Sequence, residues 1–308
     1  MKNLRILLVL FLLFVAVIAA FVYINSTKSA PPANPSPTPT TTLAPSPTLT
    51  PTPFPSQGAL PQLQVHYIDV GQGDSILIDL GETEVLIDGG DRSPGVMPYL
   101  QQYVDGPLEA MVATHPHADH IGGLVAVLDA FKVDEICLNG DTSTSQTYSD
   151  FISKVNAEMA KVHYVTRGDK ITISNLTFEV LHSTMPLGPD TNDNSIVLEL
   201  SFGEIDFLFT GDVGATPETS MIIADVVEDI DILKVSHHGS KYGTTANFLY
   251  TAKPEVAIIS VGNNSYGHPA PETIARLTSA DATIYRTDIN GTIVIATDGL
   301  TYTVKVTN

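Results

Sequence analysis

The sequence predicts an α/β (α+β) fold in which two sheets pack face to face with helices outside. Three observations carry that expectation. From Leu63 onward, short β-type runs are punctuated by Gly and Asp. Twice along the chain, neighbouring strands give way to an alternation of strand and helix, the pattern of two similar halves. Polar residues of metal-ligand type, Asp88, His115, His117, Asp119, His120, Asp212, His237 and His238, recur where apolar strands end.

The 308-residue chain begins outside that domain. Residues 1–29 hold the apolar, uncharged run Ile6 to Ile24, preceded by Lys2 and Arg5. At roughly 1.5 Å per helical residue it is long enough for a hydrocarbon core of about 30 Å, with its basic end in the cytoplasm. A cleavable signal peptide is the rival reading, since Ala19 and Ala20 lie near its end, but no clean A-x-A comes after it. Both readings place the rest of the chain outside the cytoplasm, either membrane-anchored or secreted. Residues 30–60 are mostly Pro, Thr, Ser, Ala and Leu and read as a semi-rigid spacer. The folded domain is 61–308.

Within it, Leu63 to Tyr67, Ser75 to Leu80 and Glu84 to Ile87 read as strands, the last two as a hairpin. The loop Asp69 to Asp74, D-V-G-Q-G-D, has two glycines that allow a close backbone approach, although a plain tight turn explains it equally. Ala110 to Ala113 is a strand and Leu124 to Phe131 a helix; Glu135 to Leu138 is a strand and Tyr148 to Ala160 a helix. Strands Ile171 to Ile173 and Leu176 to Leu181 come next, then a hairpin, Ser195 to Phe202 with Ile205 to Phe209, turning at Gly203. A helix at Glu218 to Val226 and a strand at Ile230 to Val235 lead to S-H-H-G-S. Phe248 to Thr251 closes a helix, Val256 to Val261 is a strand and Glu272 to Ala280 a helix. Thr283 to Tyr285, Thr292 to Ala296 and Thr301 to Val306 complete the strands.

Charge and cysteine content narrow the function classes. The first sixty residues carry three basic residues and no acid, which leaves the domain twelve Lys and Arg against 34 Asp and Glu, a net of −22. Such a domain repels polyanions at long range and lacks the basic footprint of nucleic-acid binding. The lone Cys137 cannot form an internal disulfide and reads as a buried, inert thiol.

The specific signal is T-H-P-H-A-D-H-I-G-G, Thr114 to Gly123. In an extended segment His115 and His117 point the same way and reach one ion, while Asp119 and His120, after the turn, reach another. The set is nitrogen and oxygen without thiolate, which suits zinc, or manganese as the alternative. Asp212, between F-L-F and a glycine turn, can bridge two cations. Asp88, in I-D-G-G, is expected to orient the ligand loop rather than to bind metal. His268, in a loop stiffened by Pro269 and Pro271, suits phosphate contact or proton donation to a leaving group. Ser240 and Lys241 are weaker substrate-contact candidates.

Seven ordered strings, H-Y-I-D-V-G-Q-G-D-S, I-D-G-G, T-H-P-H-A-D-H-I-G-G, N-D-N-S-I-V-L, F-T-G-D, S-H-H-G-S and Y-G-H-P, span about Leu63 to Val306. Together they resemble the metallo-β-lactamase superfamily, and within it the hydrolase domain of the ComEC DNA-uptake proteins. The resemblance implies a four-layer αββα sandwich with the metal site along one sheet edge. It implies two divalent metal ions: His115 and His117 on one, Asp119 (ligand and catalytic carboxylate) and His120 on the other, and Asp212 between them. One of His237 and His238 completes the second site, and His238 is preferred. The superfamily has a further His before the strand that starts at Ser195, where this chain has Asn192 and Asn194. That leaves the first site short of an imidazole and makes Asn194 a substrate-binding candidate. His182 could substitute, but at the end of an apolar strand it reads as structural.

The expectation is therefore an extracytoplasmic metal-dependent hydrolase, with a metal-bound hydroxide attacking a phosphodiester. Its partners would be DNA or a small phosphoester, the membrane through the N-terminal segment, and a separate membrane channel, because one span cannot itself conduct DNA uptake. An esterase of small or wall-linked phosphoesters, lactones or lactams is the alternative, and a non-catalytic binding module the second.

Overall fold

The computed structural model describes residues 62–308. The Ile6 to Ile24 run and the spacer lie outside the described residues, among which no helix is long and apolar enough to cross a membrane.

The N-terminal half supplies six strands: β1 (Leu63–Tyr67), β2 (Ile76–Asp79), β3 (Glu84–Ile87), β4 (Leu108–Ala113), β5 (Val133–Leu138) and β6 (Lys161–Tyr164). The next seven are β7 (Lys170–Ile173), β8 (Leu176–His182), β9 (Val197–Phe202), β10 (Ile205–Phe209), β11 (Ile232–Lys234), β12 (Val256–Ile259) and β13 (Thr283–Arg286). A closing hairpin is formed by β14 (Ile293–Thr297) and β15 (Tyr302–Val306). One sheet runs β15-β14-β1-β2-β3-β4-β5-β6 and the other β13-β12-β11-β10-β9-β8-β7. Each half starts antiparallel and continues parallel from β3 and from β10. The two-halves reading of the sequence corresponds to this layout, and the hairpin returns to lie beside β1.

Strand alternation builds the layers. On β4, Ala110 and Val112 join the apolar core between the sheets, with Tyr67, Phe178, Phe207 and Phe209. Met111 and Ala113 point the other way and pack with Leu100, Leu124, Val127 and Phe151 from helices on the outer face. The second sheet does the same: Leu208, Leu233 and Ile259 meet Met221, Phe248 and Leu277. Helix, sheet, sheet, helix is the expected four-layer sandwich. Cys137 lies in the inter-sheet core, where burial raises its thiol to about 12.

The structure adds to the sequence reading. Strand β6 is absent from that reading because K-V-H-Y is only four residues long and lies largely exposed at the sheet edge. The helix Met97–Tyr103 buries only Leu100, so it carries no periodic signal. Inside the histidine motif, the turn expected after His117 is one helical turn, Ala118–Ile121. Helix boundaries also shift: the helix expected from Tyr148 is Gln146–Ala157, started by Ser145, whose side chain accepts the Tyr148 N–H. Glycine and the parallel topology then direct the chemistry to one edge. Loops leaving the carboxyl ends of β3, β4, β10, β11 and β12 converge there, the usual place for a site on parallel strands.

Candidate metal centre

Asp88 is the first anchor. It leaves β3 in a left-handed conformation, φ 57°, with its carboxylate buried. Its Oδ1 accepts the Thr114 N–H at 2.8 Å and its Oδ2 the Thr114 hydroxyl at 2.7 Å. The same Oδ2 accepts from His120 Nδ1 at 2.7 Å. Because Thr114 gives its proton to Asp88, its oxygen is left to accept from His115 Nδ1 at 3.1 Å. One carboxylate therefore sets the tautomer of two histidines and directs both Nε2 lone pairs inward. This is the orienting role that the sequence assigns to Asp88.

His238 is the counterpart from the second sheet. Its Nδ1 donates to the Ser260 carbonyl at 2.9 Å, and its Nε2 lies 3.3 Å from both Asp119 and Asp212. Asp212 Oδ2 is also 3.3 Å from His120 Nε2 and 4.0 Å from His115 Nε2. Compact ligand sets form from His115, His120 and Asp212 and from Asp119, His120 and His238, and two more join Asp74 to Asp88 and His120 and to Asp212 and His238. His237 enters none of them. It is partly exposed, 3.9 Å from Asp212, and edge-on to His268 at 5.4 Å between ring centroids. Backbone conformation separates the pair: His237 and His238 are both left-handed, φ 49° and 53°, so successive side chains diverge.

His117 meets His115, Nδ1 to Nε2, at 3.1 Å, but joins no compact set with a third ligand among the described residues. His115 and His117, expected to share one ion, stand within reach of one another, and the helical turn after His117 brings His120 beside His115 as well. His182 spends both ring nitrogens, on Arg167 and on the Asp193 carbonyl, and is structural.

Two substrate-contact expectations are corrected. Asn194 is buried, and its amide donates to Asp141 at 2.7 Å and to the Gly188 carbonyl at 3.0 Å, leaving no donor for a ligand. Its segment is instead scaffolding: Ser195 Oγ accepts the Asp212 N–H and Asp193 the Gly214 N–H. Ser240 is buried too, with its carbonyl taken by Thr273 and its hydroxyl facing the Tyr242 N–H. Lys241 lies over the exposed Tyr242 ring at 5.1 Å.

Two residues that sequence reasoning misses lie beneath the cluster. Asp74 and Lys234 are buried and ion-paired. Asp74 explains the G-Q-G loop. A Cβ on Gly73, φ +133°, would sit 2.2 Å from the Asp119 carbonyl, and that carbonyl accepts the Asp74 N–H. The signal for Lys234 is a lone cation inside an apolar strand, I-L-K-V, which demands a buried counter-charge.

The electrostatics fit a cation. His120 Nε2 and His238 Nε2 are buried without a hydrogen-bond partner, an arrangement that costs about 1–3 kcal/mol per atom unless something binds there. Burial alone would lower His120 and His238, yet the Asp212 carboxylate, with Asp88 for one and Asp74 for the other, raises both well above the ordinary imidazole value. Burial likewise opposes the charge on Asp212, but His238 and His120 hold it well below the carboxylate range. A divalent ion would replace those protons and satisfy the same lone pairs. His268 stands beside this opening, 6.5 Å from His238 by ring centroid, in a loop whose Asn264 Oδ1 accepts the His268 N–H. Burial, then the neighbouring His237, lowers it. A cavity of about 80 Å³ beside His115 is lined by Asn139, Asp141, Tyr148 and Tyr164 among others.

Residues 68–263 match the Metallo-beta-lactamase superfamily. The chain belongs to that family. ComE operon protein 3 of Bacillus subtilis is 31% identical over 251 residues, 75% of this chain and 32% of that protein. Recombination protein 2 of Haemophilus influenzae is 30% identical over 242 residues, 76% of this chain and 29% of that one. The chain thus spans about a third of the length of these relatives, which agree with the competence-protein branch. Among solved structures, the metallo-β-lactamase fold protein YhfI of Bacillus subtilis superposes with a TM-score of 0.54 at 15% identity. It covers 77% of this chain and 99% of its own, and shows the shared fold. Divalent metal ions are what this metallo-β-lactamase fold implies, and the nitrogen and oxygen donors at its sheet edge suit them.

Proposed function

We propose that the chain is a metal-dependent phosphodiesterase working outside the cytoplasm, tethered or secreted through its N-terminal segment. The observation that carries it is the convergence of partnerless His120 Nε2 and His238 Nε2 on Asp212 Oδ2, 3.3 Å from each. His115, Asp119, His120, Asp212 and His238 would hold the metals, with His117 at the edge. When bound, a zinc or manganese pair supplies Lewis acidity and an acidified water. The chain's own residues do the rest. Asp88 holds His120 and His115 in one tautomer, Ser260 does so for His238, and the Asn264 loop fixes His268 where its ring can contact the departing oxygen. The phosphodiester preference is supported by the named competence and recombination relatives. DNA is the leading substrate, and a partner channel would be a separate protein.

A net charge of −22 over the domain favours a second reading, hydrolysis of small or wall-linked phosphoesters, lactones or lactams, because long polyanions are repelled. Turnover of single-stranded DNA and of bis-p-nitrophenyl phosphate across salt concentrations separates the two. The first reading expects chelator-sensitive cleavage of both, with DNA cleavage helped by salt that screens the repulsion. Turnover of the small ester with no DNA cleavage at any salt selects the second. No hydrolysis after zinc or manganese addition overturns both and leaves a binding module.

A further inference from the structure

Lys234 lies buried on β11, an interior strand of the second sheet. An ammonium buried there is costly unless every proton finds an acceptor. It has three neighbours: the Asp74 carboxylate, the Gly211 carbonyl at 3.0 Å, and Asp212 Oδ1 at 3.8 Å. Gly211 immediately precedes Asp212, so Lys234 holds the backbone of that loop by a hydrogen bond and faces its carboxylate as an ion pair across 3.8 Å. Asp74 lies on the outer side of the two imidazoles, 3.3 Å from His238 Nδ1 and 3.9 Å from His120 Nδ1. The Nε2 atoms of the same rings face Asp212 Oδ2. Asp212 is therefore shared by its two oxygens, one toward the ammonium and one toward the histidines.

We infer that Lys234, paired with Asp74, is a positioning residue that reserves Asp212 Oδ1 and turns Oδ2 alone toward the ligand nitrogens. The inference rests on the cluster being a metal centre, and it assigns the pair no contact with substrate. Its consequence has a sign. A positive charge near a ligand, acting only as a charge, would weaken metal binding, so its removal would tighten it. A positioning residue does the opposite: its removal loosens binding.

The test uses the full chain carrying Lys234→Met, Asp74→Asn, or both, with thermal melting and near-UV dichroism as fold controls. Lys234→Met alone strands a buried carboxylate and is expected to lower Tm; the double variant removes both charges and keeps the experiment interpretable if the single one fails to fold. Zinc affinity is measured by chelator competition, and the visible absorption of the cobalt-loaded protein reports the ligand geometry. Folded Lys234→Met is expected to bind zinc about 10- to 100-fold more weakly, against the sign of a lost positive charge, and the double variant, in which both charges are removed together, to keep the weakened binding with an altered cobalt spectrum. Unchanged or tighter zinc binding with an unaltered spectrum overturns the inference alone. A wild-type chain that binds neither metal overturns the metal-centre reading and this inference with it.

Discussion

The two sheets each present one loop to the same point, and they hold their histidines differently. From the first sheet, His120 is anchored by a carboxylate, Asp88, on an ordinary helical turn. From the second, His238 donates to a neutral carbonyl, that of Ser260, with the Asp74 carboxylate 3.3 Å from the same nitrogen, on two successive left-handed residues. A carboxylate partner makes an imidazole more electron-rich than a carbonyl does. A left-handed L-residue costs roughly 1–2 kcal/mol. The first loop thus draws its precision from charge and hydrogen bonds. The second draws it from backbone strain, held by the buried Glu218 accepting from Thr244 and Thr245 N–H and by Arg276 donating to the Thr244 and Gly243 carbonyls.

The contrast can be broken most severely where the loops meet. Asp119→Ala removes the carboxylate facing His238 across the join, and turnover of bis-p-nitrophenyl phosphate should fall to background while the circular dichroism spectrum is kept. Unchanged turnover would refute the shared site.

Acid sensitivity should lie in the first half. His66, buried on β1 against Tyr99 and Tyr103, is lowered by burial to about 4. The unfolded chain takes up that proton near pH 6.5, the folded chain only near 4, so between those values the unfolded state alone is protonated. Stability therefore falls as pH falls through this window, by about 3 kcal/mol from this residue. Urea denaturation at about pH 4 and about pH 7 should show a smaller difference for His66→Gln by that amount. An equal difference would remove His66 from the account.

Asp88→Asn tests the carboxylate anchor. It replaces one acceptor with a donor where Thr114 and His120 both need to donate, and metal affinity should fall about 10- to 100-fold by calorimetry. Retained affinity would mean that His120 needs no anchor.

The smallest effect belongs to the strained loop. His237→Gly relieves a left-handed position outside the ligand sets, and thermal melting should show stability unchanged or raised by less than about 1 kcal/mol, with metal content retained. Loss of a metal equivalent would move the ligand role from His238 to His237.

The same contrast explains which features are legible in the sequence. Strands such as Leu63–Tyr67, Glu84–Ile87 and Ile205–Phe209 can be read because apolar residues mark them, and the ligand-bearing loops because His and Asp stand at strand ends. His238 is separable from His237 only by the direction each side chain takes from a left-handed backbone, which adjacent identical residues do not reveal. Asp74 looks like a turn residue and Lys234 like a stray charge until the sheets bring them together. Asn194, expected near the site, ties its own loop to Asp141 and Gly188 instead, while its neighbours Ser195 and Asp193 hold the Asp212 loop, roles visible only through partners far away in sequence or hidden in the same loop. Edge strand β6 is invisible because its side chains are largely solvated, with no alternation of buried and exposed positions.

The central claim is that both loops share their metals through Asp212. The most direct measurement is the transition-metal content of the purified full chain and of Asp212→Ala, each loaded with zinc, dialysed and checked for fold by dichroism. The account predicts about two equivalents in the parent and less than about one in the variant. Equal metal content in the two, or less than about one tightly held equivalent in the parent, would contradict it.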